Sequence, residues 1–264
     1  MNKQLLAASI SVAITFSSFA QQKPNWDSLA KEAAKTEVWS PVPPVVTPGA
    51  LPQDAPSDAI ILFDGKNLDQ WQSVNNPGQP AGWTVAHGVL TVDKKNGNIQ
   101  TKQTFLDYQL HLEWRIPKVI SGEGQLRGNS GVFLASTGPG DEGYEIQILD
   151  CYNNKTYVNG QTGSVYKEAI PLANACKKPG EWQYYDIIWT APRFNDDGSV
   201  QSPARVTVLH NGVLMQNNTA VKGITAWIGA HSYGKKHGAT PIKLQSHGDP
   251  SEPISYRNIW VRPL

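Results

Sequence analysis

The sequence predicts an all-β protein built as a sandwich of antiparallel sheets, and two observations lead to this fold class. After Asp58, short apolar runs are separated by Gly, Asn and Pro turn signals, and a convincing long helical pattern is absent. Several of these runs alternate apolar and polar residues, as strands do when one face packs on a core. Many short strands at even spacing are typical of an antiparallel sandwich.

The first 20 residues have the pattern of a secretory signal. Lys3 precedes an apolar stretch that ends in Ser18-Phe19-Ala20, a small-x-small pattern that predicts cleavage after Ala20. This stretch is too short for a good membrane span, and no later segment is apolar for long enough to be one. We therefore expect a secreted or periplasmic protein without a membrane span.

Residues 21–58 are predicted to form a short helix and a Pro-rich arm ahead of the sandwich. Residues 25–39 have a helical pattern, with apolar side chains on one side. Six prolines between Pro41 and Pro56 then exclude a helix or a central strand and predict an extended arm. The β-sandwich domain is assigned to residues 59–264.

Two of the turns between strands can be read directly. Asn211-Gly212 lies between apolar runs and predicts a hairpin turn that needs positive φ. Asp197-Gly198 is predicted to join two further neighbouring strands. The candidate strands are AIILF, WTVAHGVLTV, YQLHLEWRI, SGVFLAS, YEIQIL, QYYDIIWTA, RVTVLHNGVLMQ, PIKLQSH and SYRNIWVRPL.

The charge balance and the aromatic content bear on the ligand. The chain has 23 Lys and Arg against 22 Asp and Glu, so no net field favours nucleic acid or an anionic membrane as a partner. Nine Trp and nine Tyr are a heavy aromatic load, which in an exported protein suits a small carbohydrate ligand because these rings stack on pyranoses. Nothing in the sequence sets the oligomeric state.

Cys151 and Cys176 are the two cysteines of a chain that is predicted to enter an oxidising compartment. A disulfide between them would close a loop of about 25 residues and contribute about 3 kcal/mol by loop-entropy arguments. Two free thiols are the alternative. No metal-type Cys and His spacing is present, so we expect the disulfide and no metal at these cysteines.

The stretch GYEIQILD raises the question of a site. Tyr144, Ile146 and Ile148 alternate as a strand with one buried face, which sends Glu145 and Gln147 together to the opposite face. A half-solvated strand explains this pattern, because most antiparallel sheets have one wet face. The floor of a binding site explains it equally well.

Four other strands also place polar groups opposite an apolar face, which favours the site. A plain solvated face would hold Lys, Thr and Ser rather than these side chains. For Glu113 and Arg115 a cross-strand ion pair remains the alternative. The groups predicted to share a face are His111, Glu113 and Arg115; Asn129, Gly131 and Phe133; Lys243, Gln245 and His247; and, on the last strand, Tyr256, Asn258 and Trp260 against Arg257 and Ile259.

The chain resembles the 3-keto-disaccharide hydrolase domain family over nearly its whole predicted mature length. The resemblance implies a concanavalin A-like jelly roll of two curved antiparallel sheets, with the ligand on the concave face. It also implies cleavage of glycosides that are oxidised at C3. The segments that carry it are AIILFDGKNLDQW, GNSGVFL, YEIQILD, PGEWQYYDI, VLHNGV, LQSHG and YRNIWVRPL.

The resemblance also implies the site residues, because nine residues of this chain stand at the family's polar motif positions. The insert STGPGDEG, between VFLA and YEIQ, is longer than usual for the family and is expected to reshape one rim of the site. The nine residues are Glu113, Arg115, Asn129, Ser130, Glu145, Gln147, Gln245, His247 and Arg257.

Laminarinase-type sandwich hydrolases use E-x-D-x-x-E on one strand, and the matching residues here do not provide that pair. Gln147 replaces one carboxylate, and Asp150 is out of phase with Glu145 unless a bulge realigns it. Retaining hydrolysis needs two carboxyl groups about 5–5.5 Å apart. The conventional mechanism is therefore the less favoured alternative.

A ketone at C3 offers an easier route, because it acidifies the proton at C2 and lets one base start an elimination. Glu145 or His247 could be that base, and Arg115 or Arg257 could face the enolate oxygen. Gln147, Gln245 and Asn129 are expected to orient the substrate. A divalent cation on the ketone oxygen is compatible with these side chains, but no spacing requires one.

Two classes of function stay open on the sequence alone. One is an exported enzyme that acts on 3-keto-glycosides, with water adding after elimination to give net hydrolysis. The other is a non-catalytic carbohydrate-binding module, which a polar face with an aromatic rim would serve equally well.

Overall fold

The structure is a computed structural model that describes residues 25–264, so the predicted signal at residues 1–20 lies outside the described residues. The chain divides into two units, with the boundary between Val45 and Val46. In residues 25–264, no helix is both long enough and apolar enough to cross a membrane.

The described part of the first unit contains one helix, α1, at Trp26–Ala34. The Asn25 side chain caps it by accepting a hydrogen bond from the Ser28 backbone N–H at 3.3 Å. The predicted N-terminal helix is confirmed, but it ends at Ala34 rather than at residue 39. No side chain of α1 is buried.

The second unit holds fifteen strands, joined by loops and two short 3-10 turns at Gly124–Leu126 and Val158–Gly160. The strands are β1 Ile60–Phe63, β2 Trp71–Ser73, β3 Thr84–Ala86, β4 Val89–Thr91, β5 Ile99–Thr101, β6 Tyr108–Arg115, β7 Ser130–Ser136, β8 Gly143–Ile148, β9 Trp182–Thr190, β10 Arg193–Phe194, β11 Val200–Ser202, β12 Arg205–His210, β13 Val213–Ala220, β14 Lys243–Leu244 and β15 Ser255–Pro263.

Two sheets form the predicted jelly-roll sandwich. The eight-stranded sheet has the order β13-β12-β9-β6-β15-β4-β3, with β1 also paired to β15. The five-stranded sheet has the order β2-β5-β14-β7-β8, and β10 and β11 form a separate ribbon. All the recorded pairings between strands are antiparallel.

The core lies between the two sheets. Leu112 and Trp114 of the eight-stranded sheet and Ile146 of the five-stranded sheet belong to one cluster of buried apolar side chains. Two tyrosine hydroxyls join the sheets across this core: Tyr108 donates to the Leu134 carbonyl and Tyr185 to the Gln147 carbonyl, both at 2.6 Å. Because side chains alternate along a strand, the residues between the core positions of each strand face outward, away from the other sheet.

Both turns that could be read from the sequence are confirmed. Asn211 and Gly212 have φ values of 53° and 79° and join β12 to β13. The turn at Gly198 joins β10 to β11. The unpredicted strands β2 and β5 are only three residues long, too short for an alternation pattern to identify them.

A bulge at Asn258 corrects the predicted face of Trp260. The register of β15 on β6 shifts between Arg257 and Trp260, and Asn258 has a φ of 45°. The alternation therefore restarts: Trp260 pairs with His111 on the outer face and does not share a face with Tyr256.

The C-terminal part of the Pro-rich arm belongs to the second unit. The carbonyl of Gln53 accepts hydrogen bonds from Asn258 Nδ2 and Trp260 Nε1, both at 3.0 Å. Asp58 pairs with Arg262, with 2.7 Å between Oδ2 and Nε. This stretch of the arm therefore packs against the outer face of the eight-stranded sheet.

Cys151 and Cys176 are joined in the structure, with their Cα atoms 5.8 Å apart. The bond closes the segment that connects β8 to β9. Part of this segment pairs along the free edge of β8, since the Tyr166 N–H donates to the Glu145 carbonyl at 3.1 Å. The disulfide thus fixes both ends of a loop whose middle lies beside β8.

Replacing both cysteines by alanine is expected to lower the free energy of unfolding by about 3 kcal/mol, because the unfolded chain regains the entropy of an open loop. Urea unfolding of the wild type and the double variant measures this difference. Titration of denatured, unreduced wild type should find no free thiol; two free thiols would contradict the disulfide.

Candidate active site

A cavity of about 360 Å³ lies over the outer face of the five-stranded sheet, within the size range of small-molecule sites. We call it the Glu145 pocket. Its floor is formed by four buried polar residues, Asn129, Glu145, Gln147 and Gln245. Its rim is formed by half-buried and exposed residues, Gln125, Leu126, Asp141, Tyr157, Tyr166, Thr225, Trp227 and His247.

Glu145 is the buried carboxyl group of the floor. It lies on β8 opposite Phe133 of β7, and its backbone N–H donates to Thr225 Oγ1 at 2.9 Å. Only 4% of the residue is exposed. Burial, aided by the negative charge of Asp141 and opposed by Lys243, raises the pKa of Glu145 well above its ordinary value. This carboxyl group therefore keeps its proton to a higher pH than an exposed glutamate does.

Gly131 makes room for this carboxyl group. A Cβ atom placed on Gly131 would lie 2.4 Å from Glu145 Oε1 and 3.0 Å from its Cδ. Any larger residue on this part of β7 would displace the carboxyl group. The glycine beside Asn129 and Ser130 is thus explained by a close approach.

Gly131→Ala is expected to lower the cleavage of 3-keto-glycosides, the activity that the family resemblance implies, about 100-fold. The reason is that the added methyl group moves the carboxyl group of Glu145 by about 1 Å while the sheet stays folded. Turnover and the melting temperature are measured together. Gly238→Ala is the matched control, since its added methyl group meets no atom within 4 Å. Full activity in Gly131→Ala would show that the position of this carboxyl group does not matter.

The amide of Gln147 lies between Glu145 and Gln125. One end is 2.9 Å from Gln125 Oε1, and the other is 3.0 Å from Glu145 Oε1 and 2.9 Å from the Ser130 carbonyl oxygen. An ionised Glu145 favours the amide nitrogen on its side, whereas a protonated Glu145 can itself donate to the amide oxygen. The orientation of Gln147 is therefore coupled to the protonation state of Glu145.

Gln245 provides an acceptor that the described residues leave unused. The residue is 6% exposed, and its Oε1 atom has no hydrogen-bond partner within residues 25–264. A buried acceptor without a partner is costly unless a ligand or water satisfies it. A ligand hydroxyl group in the pocket would do so.

His247 is held at the rim by Asp249. Its Nδ1 atom lies 3.3 Å from Asp249 Oδ2 and 3.2 Å from the Asp249 backbone nitrogen. Although burial opposes it, hydrogen bonds from His247 and Ser251 lower the pKa of Asp249, so Asp249 is a carboxylate. The imidazole is thereby oriented through Nδ1.

Asp141 adds a second carboxyl group, on the turn between β7 and β8. Asn98 Nδ2 donates to Asp141 Oδ1 at 2.8 Å. The buried Lys243 donates to the carbonyls of Gly138, Gly140 and Glu142 in the same turn, and burial lowers its pKa to about 8. The inserted segment predicted to reshape one rim is thus fixed in place and lines the pocket.

Glu113, Arg115 and Arg257 do not belong to this pocket, and the expectation that one surface holds all nine residues was wrong. They lie on the outer face of the eight-stranded sheet, whereas the pocket residues lie on the five-stranded sheet. The two outer faces point in opposite directions. The alternation of these strands was predicted correctly up to the bulge at Asn258, but alternation does not tell which sheet a strand joins.

On the outer face of the eight-stranded sheet, the charged side chains interact mainly with neighbouring residues of the same face. Glu113 accepts from Arg257 Nε at 2.7 Å and from Asn258 Nδ2 at 2.9 Å, so its ion-pair partner is Arg257 and not Arg115. Burial raises the pKa of Glu113, but the nearby imidazole of His111 and the hydrogen bonds from Asn258 and Arg257 outweigh it and bring the pKa to about 2. The guanidinium of Arg115 lies 4.7 Å from the ring centroid of Trp182.

Two further residues considered in the sequence analysis, Ser130 and Asp150, form contacts outside the pocket. Ser130 points into the core, where Oγ donates to the Gln245 carbonyl at 2.6 Å and lies 2.7 Å from Tyr256 Oη. It is therefore not a ligand contact, because it occupies the inner face of β7. Asp150 is bound to Arg127, with 2.6 Å between Oδ2 and Nε, so the laminarinase-type partner of Glu145 is absent from the pocket.

Sequence reasoning missed most of the rim, because the rim residues lie on loops that have no periodicity. The aromatic residues in Gly-bounded loops were the available signal, as with Trp227 between Gly223 and Gly229. Within residues 25–264, no three His, Cys, Asp or Glu side chains are close enough together to hold a metal ion.

The fold and the pocket together define a jelly-roll protein with a pocket that has a polar floor on the outer face of one sheet. Residues 58–262 match the model of the 3-keto-alpha-glucoside-1,2-lyase-like domain, and the chain belongs to this family. The resemblance seen in the sequence is thereby confirmed.

Solved structures agree with this assignment. A putative glycosyl hydrolase from Parabacteroides distasonis is 59% identical to this chain, with a TM-score of 0.81; the match covers 88% of this chain and 96% of that chain. A second putative glycosyl hydrolase from the same organism is 25% identical, with a TM-score of 0.54, and covers 78% of this chain and 99% of that chain. No curated protein matches the chain.

Proposed function

We propose that this protein is an exported enzyme that cleaves 3-keto-glycosides by elimination. The observation that carries the proposal is the carboxyl group of Glu145, which is buried in a pocket and has a strongly raised pKa. Such a group is a functional-site candidate, because a carboxyl group whose pKa is strongly perturbed by burial in a cleft is typical of active sites. The family's name and the 59%-identical glycosyl hydrolase candidate support a glycoside as the substrate.

The chemistry begins at the carbon next to the ketone. The carboxylate of Glu145 takes the C2 proton, and the electron pair of the C2–H bond moves toward the C3 carbonyl to form an enolate. The enolate then forms the C1–C2 double bond, and the C1–O bond breaks with its electrons on the aglycone oxygen. Addition of water across that double bond gives the free 3-keto sugar, so the net result is hydrolysis.

The other residues of the pocket have roles that follow from their positions. His247, oriented through Asp249, can give a proton to the departing aglycone oxygen. Donors for the enolate oxygen come from the amides of Asn129, Gln147 and Gln245, since neither arginine of the earlier expectation lies in the pocket. The raised pKa of Glu145 also makes its carboxylate a stronger base than an ordinary glutamate.

A non-catalytic binding module is the second candidate. The exposed ring of Trp227 and the buried amides of the floor favour it. Against it stands Glu145, because burying a carboxyl group destabilises the fold and a module that only binds sugar gains little from it.

Three outcomes separate the candidates when purified protein is incubated with methyl 3-keto-glucoside and with unoxidised methyl glucoside. The proposed enzyme cleaves only methyl 3-keto-glucoside, and replacing the hydrogen at C2 by deuterium slows this cleavage. A conventional hydrolase cleaves both glycosides without that isotope effect. A binding module cleaves neither.

A further inference from the structure

The Glu145 pocket has a polar floor and a rim that is largely apolar on the side of the two connecting loops. Leu126, Tyr157 and Trp227 line it with exposed fractions of 57%, 40% and 71%. Exposed apolar groups gathered at the mouth of a cavity mark a binding surface more often than scattered ones do. The rim is therefore suited to an apolar part of the ligand, whereas the floor is suited to a polar part.

Several polar groups on this side of the rim are already paired. The hydroxyl groups of Tyr157 and Tyr166 lie 2.6 Å apart and hydrogen-bond to each other. The ammonium group of Lys167 donates to the Trp227 carbonyl at 2.7 Å. A ligand at this side of the rim thus meets mainly ring faces and a leucine side chain.

The exposed Trp227 is held in place in spite of its exposure. Besides the hydrogen bond to its carbonyl, Lys167 Nζ lies 6.0 Å from the centroid of the Trp227 ring and 5.4 Å from that of Tyr157. Lys167 belongs to the disulfide-closed segment, and Trp227 belongs to the loop that follows β13. One cation therefore joins the two loops and places two aromatic rings beside the pocket.

From this arrangement we infer that the substrate carries a flat, apolar aglycone, such as an arylalkyl or phenolic group, rather than a second sugar. The inference rests on the proposed function and names the substrate class for it. The keto-sugar occupies the floor, where one of its hydroxyl groups donates a hydrogen bond to Gln245 Oε1. The aglycone lies against Trp227 and Tyr157.

The physical reason is the cost of unmatched hydroxyl groups. A second sugar could use only one face of its ring against these side chains, and any hydroxyl group that it turned toward a ring face or the leucine would lose a hydrogen bond to water. An aromatic aglycone loses no hydrogen bonds to water there and gains stacking contact.

The test compares three 3-keto-glucosides of one anomeric form, with a benzyl, a methyl or a 6-linked glucosyl aglycone. All three leave as primary alkoxides, so differences in kcat/KM report contact with the rim rather than leaving-group chemistry. We expect the benzyl compound to exceed the glucosyl compound by about tenfold or more, the range in which an apolar pocket discriminates. In Trp227→Ala the preference for benzyl over methyl should fall about tenfold.

Ile228→Ala is the matched control: this residue is also exposed and lies in the same loop, but it does not line the pocket. It should leave every ratio unchanged. A glucosyl preference, or a benzyl preference that survives Trp227→Ala, overturns the inference. Cleavage of the methyl compound tests the proposed function separately, because that substrate has almost no aglycone. If none of the three is cleaved, their ranking by calorimetric affinity decides the inference.

Discussion

Glu145→Gln is expected to lower cleavage of a 3-keto-glucoside by about 10²–10⁴-fold, the usual effect of losing a general base. The amide has nearly the same shape as the carboxyl group but cannot take the C2 proton. Turnover is measured with methyl 3-keto-glucoside, where the aglycone contributes little. Glu142→Gln is the control, since Glu142 is an exposed glutamate on the adjacent turn and does not line the pocket. Wild-type turnover in Glu145→Gln would refute the assignment of the base.

The same variant is expected to be more stable than the wild type at neutral pH. Folding raises the pKa of Glu145 above its ordinary value of 4.5, so the folded state binds this proton more tightly than the unfolded chain does. That contribution to stability is present below pH 4.5 and is lost as the pH rises toward the folded pKa. The gain in melting temperature from Glu145→Gln should therefore be small at about pH 4 and larger at about pH 8. A gain that shrinks with rising pH would contradict the raised pKa.

Ile146→Ala is expected to have the opposite effect, lowering the free energy of unfolding by about 2–5 kcal/mol with little change in activity per folded molecule. Ile146 follows Glu145 on β8, but it faces the core, is 1% exposed and pairs with Val132 of β7. Truncation would leave a cavity between the two sheets.

Urea unfolding measures the effect of Ile146→Ala. Ile188→Ala on β9 is the control, since Ile188 is 47% exposed and truncation at such a site changes stability by only about 0.5 kcal/mol. A loss of less than about 1 kcal/mol in Ile146→Ala would contradict the core position of this side chain.

These two neighbours show what the sequence could establish. Alternation along β8 placed Glu145 and Ile146 on opposite faces, and the structure agrees because the strand has no bulge there. Asn129, Gln147, Gln245 and His247 also lie together, because the segments that carry them, around β7, β8 and β14, are neighbours in one sheet, which the structure and not the alternation establishes. The roles of these residues stay predictions.

Other parts of the site could not be predicted, for two physical reasons. Arg115 and Arg257 alternate correctly on β6 and β15, but those strands pair with each other in the other sheet. Sheet membership depends on contacts between distant strands, which a local pattern does not contain. Trp227 and Tyr157 lie on loops, whose positions follow from tethers such as Lys167 rather than from periodicity.

The disulfide between Cys151 and Cys176 has a consequence for how this protein can evolve. It closes a segment that contributes Tyr157 and Tyr166 to the rim and pairs with the five-stranded sheet only along the edge of β8. Insertions or substitutions between the two cysteines, away from the residues that pair with β8, can change the rim without disturbing the strands that hold Glu145. Relatives can therefore diverge in the aglycone they accept by exchanging the segment between the two cysteines. Grafting that segment from one relative to another should transfer the aglycone preference, while the residues of the sheet continue to catalyse the reaction.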